Sequence, residues 1–194
     1  MRIWLLRHGQ SEWNAAGRWQ GHGDPPLSDH GRATARDRAP EIAHRLQASG
    51  RPVRLYSSDL ERARVTAGFV AEQLGVEVVA REDLRELDVG DWTGLSRDEI
   101  EAVEGARLAA FESEDPHVRP GGGETRGEIR LRVREVVERL ADEHPDDDLL
   151  LVVHLGVVRA LIPGAEPDHL DLYETTLEEI RRARSATSLG VPPR

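Results

Sequence analysis

Two short apolar runs constrain this chain most: Ile3 to Leu6 near its start and Leu149 to Val153 far downstream, each stopping at or beside a histidine. Runs of this length bounded by polar residues fit buried strands. The first delivers Arg7-His8-Gly9 and the second delivers His154. A further segment, Val53 to Tyr56, runs into Ser57-Ser58-Asp59, with Arg62 close behind. Open α/β sheets bind ligands outside the C-terminal ends of their strands, so parallel strands would bring these polar groups to one edge. Each has a plainer reading. Arg7-His8-Gly9 is equally a capped strand end with an exposed histidine, Arg62 a solvated helix residue, and His154 a strand-end hydrogen bonder.

The segments between the strands read as helices. Ser28 or Asp29 caps one running to about Ala48, with Ala33, Ile42, Ala43 and Leu46 facing inward and Pro40 marking a kink or break. Ser57-Ser58-Asp59 signals the start of another, Leu60 to Leu74, whose apolar face is Ala63, Ala67, Val70, Ala71 and Leu74. Gly75 stops it, and Val76 to Val79 is a third strand. A short helix from Ser96 opens a polar segment, residues 98–127, expected to form a lid that ends in PGGGET. Ile129, Val133, Val136, Val137 and Leu140 keep helical spacing, and a helix near Gly156 is cut short by Pro163-Gly164. Tyr173 to Leu177 reads as an edge strand, Leu177 and Ile180 as helical, and the final VPPR as frayed. Alternating strands and helices indicate an α/β sandwich with a mainly parallel sheet, in a single domain spanning 1–194.

Bulk properties narrow the partners. The net charge is −10 with no basic block, which argues against nucleic acid and requires a local positive pocket for any anionic substrate. Cysteine is absent, so thiol chemistry and disulfides are excluded. The first apolar stretch is too short for a signal peptide or a membrane span. A cytoplasmic protein without a membrane partner is the expectation, and a homodimer is compatible with it.

Two arginines, two histidines and a helix start at one sheet edge would make a phosphate pocket. The segments RHGQSEWN, RWQGHGDPPLS, SSDLERARVTA, LRELDVGDWTG, PGGGET and VVHLGVVRAL resemble, in order over about residues 1–162, the signatures of the histidine phosphatase superfamily. More narrowly they resemble its phosphoglycerate-mutase-like, broad-specificity phosphatase branch; residues 165–194 match weakly. The resemblance implies a three-layer α/β/α sandwich, a phosphohistidine intermediate, and no metal or other cofactor. Position by position it makes His8 the nucleophile, Arg7 and Arg62 the phosphate-binding arginines, and His154 the second histidine of the pocket. It makes Glu86 the proton donor and Asn14 a phosphate contact, and sets Gln20 and Gly21 on the substrate side.

The chemistry suits those roles. In-line attack by an imidazole splits a slow hydrolysis into two steps, and the arginines supply charge around the phosphoryl oxygens. Nearby guanidiniums also favour the neutral, nucleophilic form of His8. The expected reaction is hydrolysis of a small-molecule phosphate monoester.

The family's usual His-Gly-Gly is here His154-Leu155-Gly156; Leu155 would crowd the pocket mouth or favour apolar leaving groups, while its backbone N–H remains able to serve the phosphate. A mutase is the nearest alternative, but relatives of that kind carry a longer insertion after the glutamate segment. An idle phosphoanion-binding module is a second, although all the pocket residues are present. A metal hydrolase is a third, and the eight histidines form no HxH or HExxH pattern. Trp4 reads as core, whereas Trp13, Trp19 and Trp92 lie near the signature loops. His22, His30, His44, His117, His144 and His169 read as surface residues.

Overall fold

A computed structural model describes residues 1–188; the frayed end expected at VPPR lies outside the described residues. The chain begins with β1 (Ile3–Arg7), a one-turn helix α1 (Glu12–Ala15) and the long α2 (Asp29–Gln47). Then follow β2 (Val53–Ser58), α3 (Glu61–Leu74), β3 (Val78–Arg81), α4 (Arg97–Glu112) and α5 (Arg126–Glu143). It closes with β4 (Asp148–Val153), α6 (Leu155–Leu161), β5 (Leu172–Thr175) and α7 (Leu177–Ser188).

The five strands form one sheet in the order β3-β2-β4-β1-β5, parallel except for β5 at one edge. β1 and β4 lie side by side near its centre, and side chains alternate across its faces as the pleat requires. Trp4, Leu6, Leu55, Leu150 and Val152 pack against Ile42 and Leu46 of α2 and Ala63, Ala67 and Val70 of α3. Ile3, Leu5, Leu149, Leu151 and Val153 pack against Val133, Val137 and Leu140 of α5 and Val157 and Leu161 of α6. The result is a three-layer α/β/α sandwich in which β1 and β4 are covered on both sides, which explains their unbroken apolar sequences.

Several local expectations require correction. α2 runs unbroken through Pro40, which sits on its exposed side, because Ala35, Ala39, Ile42, Ala43 and Leu46 bury one continuous stripe. That helical phase turns Ala33 outward. Ser57 and Ser58 are not a helix start: they are buried residues of β2, and α3 begins after Leu60 with no side-chain cap. β3 lies two residues later than expected because β2 pairs with it through Ser58↔Arg81. The tail agrees with expectation, an edge strand β5 antiparallel to β1 followed by a helix that holds Leu177 and Ile180. Segment 98–127 is anchored, since Ile100, Leu108 and Phe111 of α4 join the same core as β1 and β4.

Candidate active site

Register alone brings the two histidines together. Arg7 pairs with Val153 at the C-terminal ends of adjacent parallel strands, and the His8 N–H donates to the Val153 carbonyl at 3.0 Å. The residues that follow leave the sheet at the same level, and the His8 and His154 rings stand with centroids 5.0 Å apart, edge to face. Both residues are buried.

The His8 tautomer follows from its partner. Nδ1 lies 2.7 Å from the Gly9 carbonyl oxygen, which only accepts, so Nδ1 carries the proton and Nε2 keeps its lone pair. The turn is held by the Gly9 N–H donating to Thr66 Oγ1 at 3.1 Å, while the Thr66 hydroxyl donates to the Arg62 carbonyl at 2.7 Å. Burial, reinforced by the Arg62 charge, pushes the His8 pKa well below its ordinary 6.5. His154 is lowered by the same burial, then by Arg62 and His8. Neither ring nitrogen of His154 has a protein partner.

The arginines are held by backbone oxygens. Arg62, fully buried in the first turn of α3, donates from Nη1 to the Gly23 carbonyl at 2.7 Å and from Nη2 to the Gly21 carbonyl at 3.0 Å. Its nearest carboxylate is Asp24, at 3.9 Å. Burial, opposed by the charges of Glu86 and Asp24, pulls its pKa down to about 10, leaving it cationic at neutral pH. Arg7 donates from Nη1 to the Pro167 carbonyl at 2.8 Å, and the Leu170 N–H returns a bond to the Arg7 carbonyl at 3.0 Å. Its pKa is also lowered, chiefly by burial.

Glu86 arrives from a separate segment after β3. Its Oε1 accepts from the Leu87 N–H at 2.8 Å and its Oε2 from the Gly156 N–H at 3.2 Å. Arg132 of α5 fastens this segment, donating to the carbonyls of Asp83, Arg85 and Glu86 at 3.1, 3.0 and 3.3 Å while pairing with Glu124 at 2.7 Å. PGGGET supports the segment from behind: a Cβ on Gly123 would come within 2.2 Å of the Asp88 carbonyl oxygen. Its glycines serve close backbone approach.

Asn14 and Gln20 complete one wall. Asn14 Oδ1 accepts from the Ser11 N–H at 3.0 Å, and Gln20 Oε1 accepts from the Ser11 hydroxyl at 2.6 Å. With those oxygens engaged, both amides retain NH2 donors for a ligand. Arg7, His8, Asn14, Gln20, Gly21, Glu86 and Leu155 line one cavity of about 390 Å3; Arg62 and His154 lie buried beneath it. Leu155 is among the lining residues. Of the tryptophans, Trp4 is core, Trp19 lines the cavity, and Trp92 lies beneath Trp19 with ring centroids 5.3 Å apart. Among the described residues, no group of three or more histidines, acids or cysteines could hold a metal ion.

One neighbour escaped the sequence reading. His169, which the sequence places at the surface, is half-buried with its ring centroid 6.0 Å from that of His8. Burial and the Arg7 charge lower its pKa to about 4. Its place depends on the turn after α6 returning to β1, and no local sequence signal announces that.

The family model described as histidine phosphatase superfamily, branch 1, matches residues 3–185. Phosphoglycerate mutase-like protein 4 of Arabidopsis thaliana is 37% identical over 167 residues, 85% of this chain and 71% of that protein. Metal-independent phosphoserine phosphatase from the same plant is 38% identical over 161 residues, 82% of this chain and 66% of that protein. Among solved structures, mycobacterial glucosyl-3-phosphoglycerate phosphatase complexed with VO3 superposes with a TM-score of 0.77 at 35% identity, covering 89% of this chain and 91% of that one. The chain belongs to branch 1 of the histidine phosphatase superfamily.

Proposed function

We propose that this histidine phosphatase hydrolyses small phosphate monoesters in two steps at His8. The observation that carries the reading is the His8 Nδ1–H bond to the Gly9 carbonyl, which leaves Nε2 unprotonated beside two arginines and a second histidine. In the first step Nε2 attacks phosphorus, the ester P–O bond breaks, and Glu86 gives its proton to the departing alkoxide. In the second, Glu86 takes a proton from water as that water attacks the phosphohistidine, releasing phosphate and regenerating His8. Arg7 and Arg62 balance charge on the equatorial oxygens, as do hydrogen bonds from His154 and the Asn14 amide. Gln20, Gly21 and Leu155 border the leaving group.

Related proteins named for phosphoserine and glucosyl-3-phosphoglycerate phosphatase activity support a small phosphorylated metabolite as substrate. A mutase reading has a named relative too, 2,3-bisphosphoglycerate-dependent phosphoglycerate mutase of Brucella melitensis at 33% identity, but it is the less favoured. A phosphate-release assay tests the proposal on para-nitrophenyl phosphate and a panel of phosphorylated acids and sugars. Release of inorganic phosphate that survives a strong chelator is expected. Isomerised phosphoglycerate in place of released phosphate would favour the mutase, and binding without turnover would favour an idle module.

A further inference from the structure

Arg126 stands apart from the phosphate cradle and is costly where it is. It occupies the first position of α5, where the helix dipole is positive and an acid would be preferred. It is half-buried, and its Nε lacks a hydrogen-bond partner. In a chain of net charge −10, it takes part in no ion pair among the described residues. Its Nη2 donates to the Phe111 carbonyl at 3.1 Å, and its guanidinium lies 4.4 Å from the centroid of the Phe111 ring. Two independent contacts therefore hold in place a cation whose opposing carboxylate, Glu114, lies beyond ion-pair distance, and Arg126 and Phe111 both line the His8 cavity.

The other outer cations of that cavity are already matched. Arg159 pairs with Glu166, and Arg18 lies 3.1 Å from Glu99. Of Arg18, Arg126 and Arg159, only Arg126 is thus without an ion-pair partner among the described residues, a single cation suited to a single carboxylate. Leu87, Val89, Trp19 and Phe111 give the same region an apolar lining.

Building on the phosphatase reading, we propose that Arg126 is a specificity-determining residue that binds a carboxylate on the leaving-group side of the substrate, selecting phosphorylated carboxylic acids over uncharged phosphate esters. The acid crosses the Trp19–Phe111 wall while its phosphate occupies the Arg7–His8 cradle. A charge-assisted contact of this kind is worth about tenfold in selectivity.

The test compares kcat and KM for 3-phosphoglycerate and glycerol 3-phosphate, which differ in a carboxylate against a hydroxymethyl group, with a propanediol bisphosphate as a third probe. The wild-type protein should prefer the carboxylate ester by about tenfold in kcat/KM, mainly through KM. Arg126→Met should lose that preference, and Arg126→Lys should recover part of it. Thermal unfolding of Arg126→Met should be no less cooperative than wild type, separating lost recognition from lost folding. Turnover of both monoesters without preference, a preference unchanged in Arg126→Met, or a stronger preference for the bisphosphate would each overturn the carboxylate subsite. Failure to hydrolyse any ester, para-nitrophenyl phosphate included, would instead overturn the phosphatase reading on which it rests.

Discussion

Gly156 touches Glu86 so closely that a side chain there would displace the carboxylate: a Cβ on Gly156 would stand 2.2 Å from Glu86 Oε1, while its N–H donates to Oε2 at 3.2 Å. The second glycine of the family's His-Gly-Gly signature is thus in direct contact with the proposed proton donor. At the first, Leu155 lines the cavity, where its side chain is accommodated.

Gly156→Ala should displace the Glu86 carboxylate while leaving the fold cooperative. Positioned general acids contribute about 10^2- to 10^4-fold, so kcat on a poor leaving group should fall by about 100-fold or more. Para-nitrophenyl phosphate, whose leaving group needs little protonation, should lose less. Steady-state kinetics on both esters measure the contrast, and equal losses would contradict the role given to Glu86.

Arg132 should act at a distance through Glu86. Arg132→Met removes the donors that fasten the carbonyls of Asp83, Arg85 and Glu86 and leaves Glu124 without its cation. The expected cost is about 1–3 kcal/mol of stability together with about a tenfold fall in kcat. Urea unfolding and kinetics on one preparation check both. Lost stability with unchanged kcat would show that the segment does not need this brace.

Acid should destabilise the folded chain before its carboxylates titrate. The folded pKa values of His8, His154 and His169 all lie below the ordinary 6.5, so between pH 6.5 and about 5 the unfolded chain binds more protons than the native one. Stability therefore falls as pH drops through this window and is recovered above 6.5. Of the acids whose shift is resolved, Asp59, Asp83, Glu99, Glu112, Glu128 and Glu179 are lowered from ordinary values of 3.8 or 4.5 and contribute mainly below the window. Urea titrations at successive pH values should show this slope, and His154→Asn should flatten it. A pH-independent midpoint from 6.5 to 5 would contradict neutral buried histidines.

How much of this was legible depended on whether a residue's role is written locally. β1 and β4 were readable because both faces are buried, and their ends located His8 and His154 without any view of the sheet. Glu86 was not readable from its surroundings: it is one of 36 acids, and only the family resemblance singled it out. Ser57 and Ser58 misled because serine before a helix looks like a cap, whereas pairing with β3 and β4 extends the strand through them. Ala33 misled because several helical phases suit an alanine-rich segment, and tertiary packing chose the one through Ala35 and Ala39. Arg126 and His169 were hidden more deeply. Their surroundings come from segments distant in sequence, Phe111 for one and His8 for the other.

Trapping the phosphorylated enzyme tests the central claim most directly. Rapid quenching during turnover of a radiolabelled ester, followed by peptide mapping, should find acid-labile, alkali-stable phosphate on His8. His8→Ala should carry no label and should lose nearly all turnover. Label on another residue, or undiminished phosphate release by the His8→Ala protein, would contradict the account.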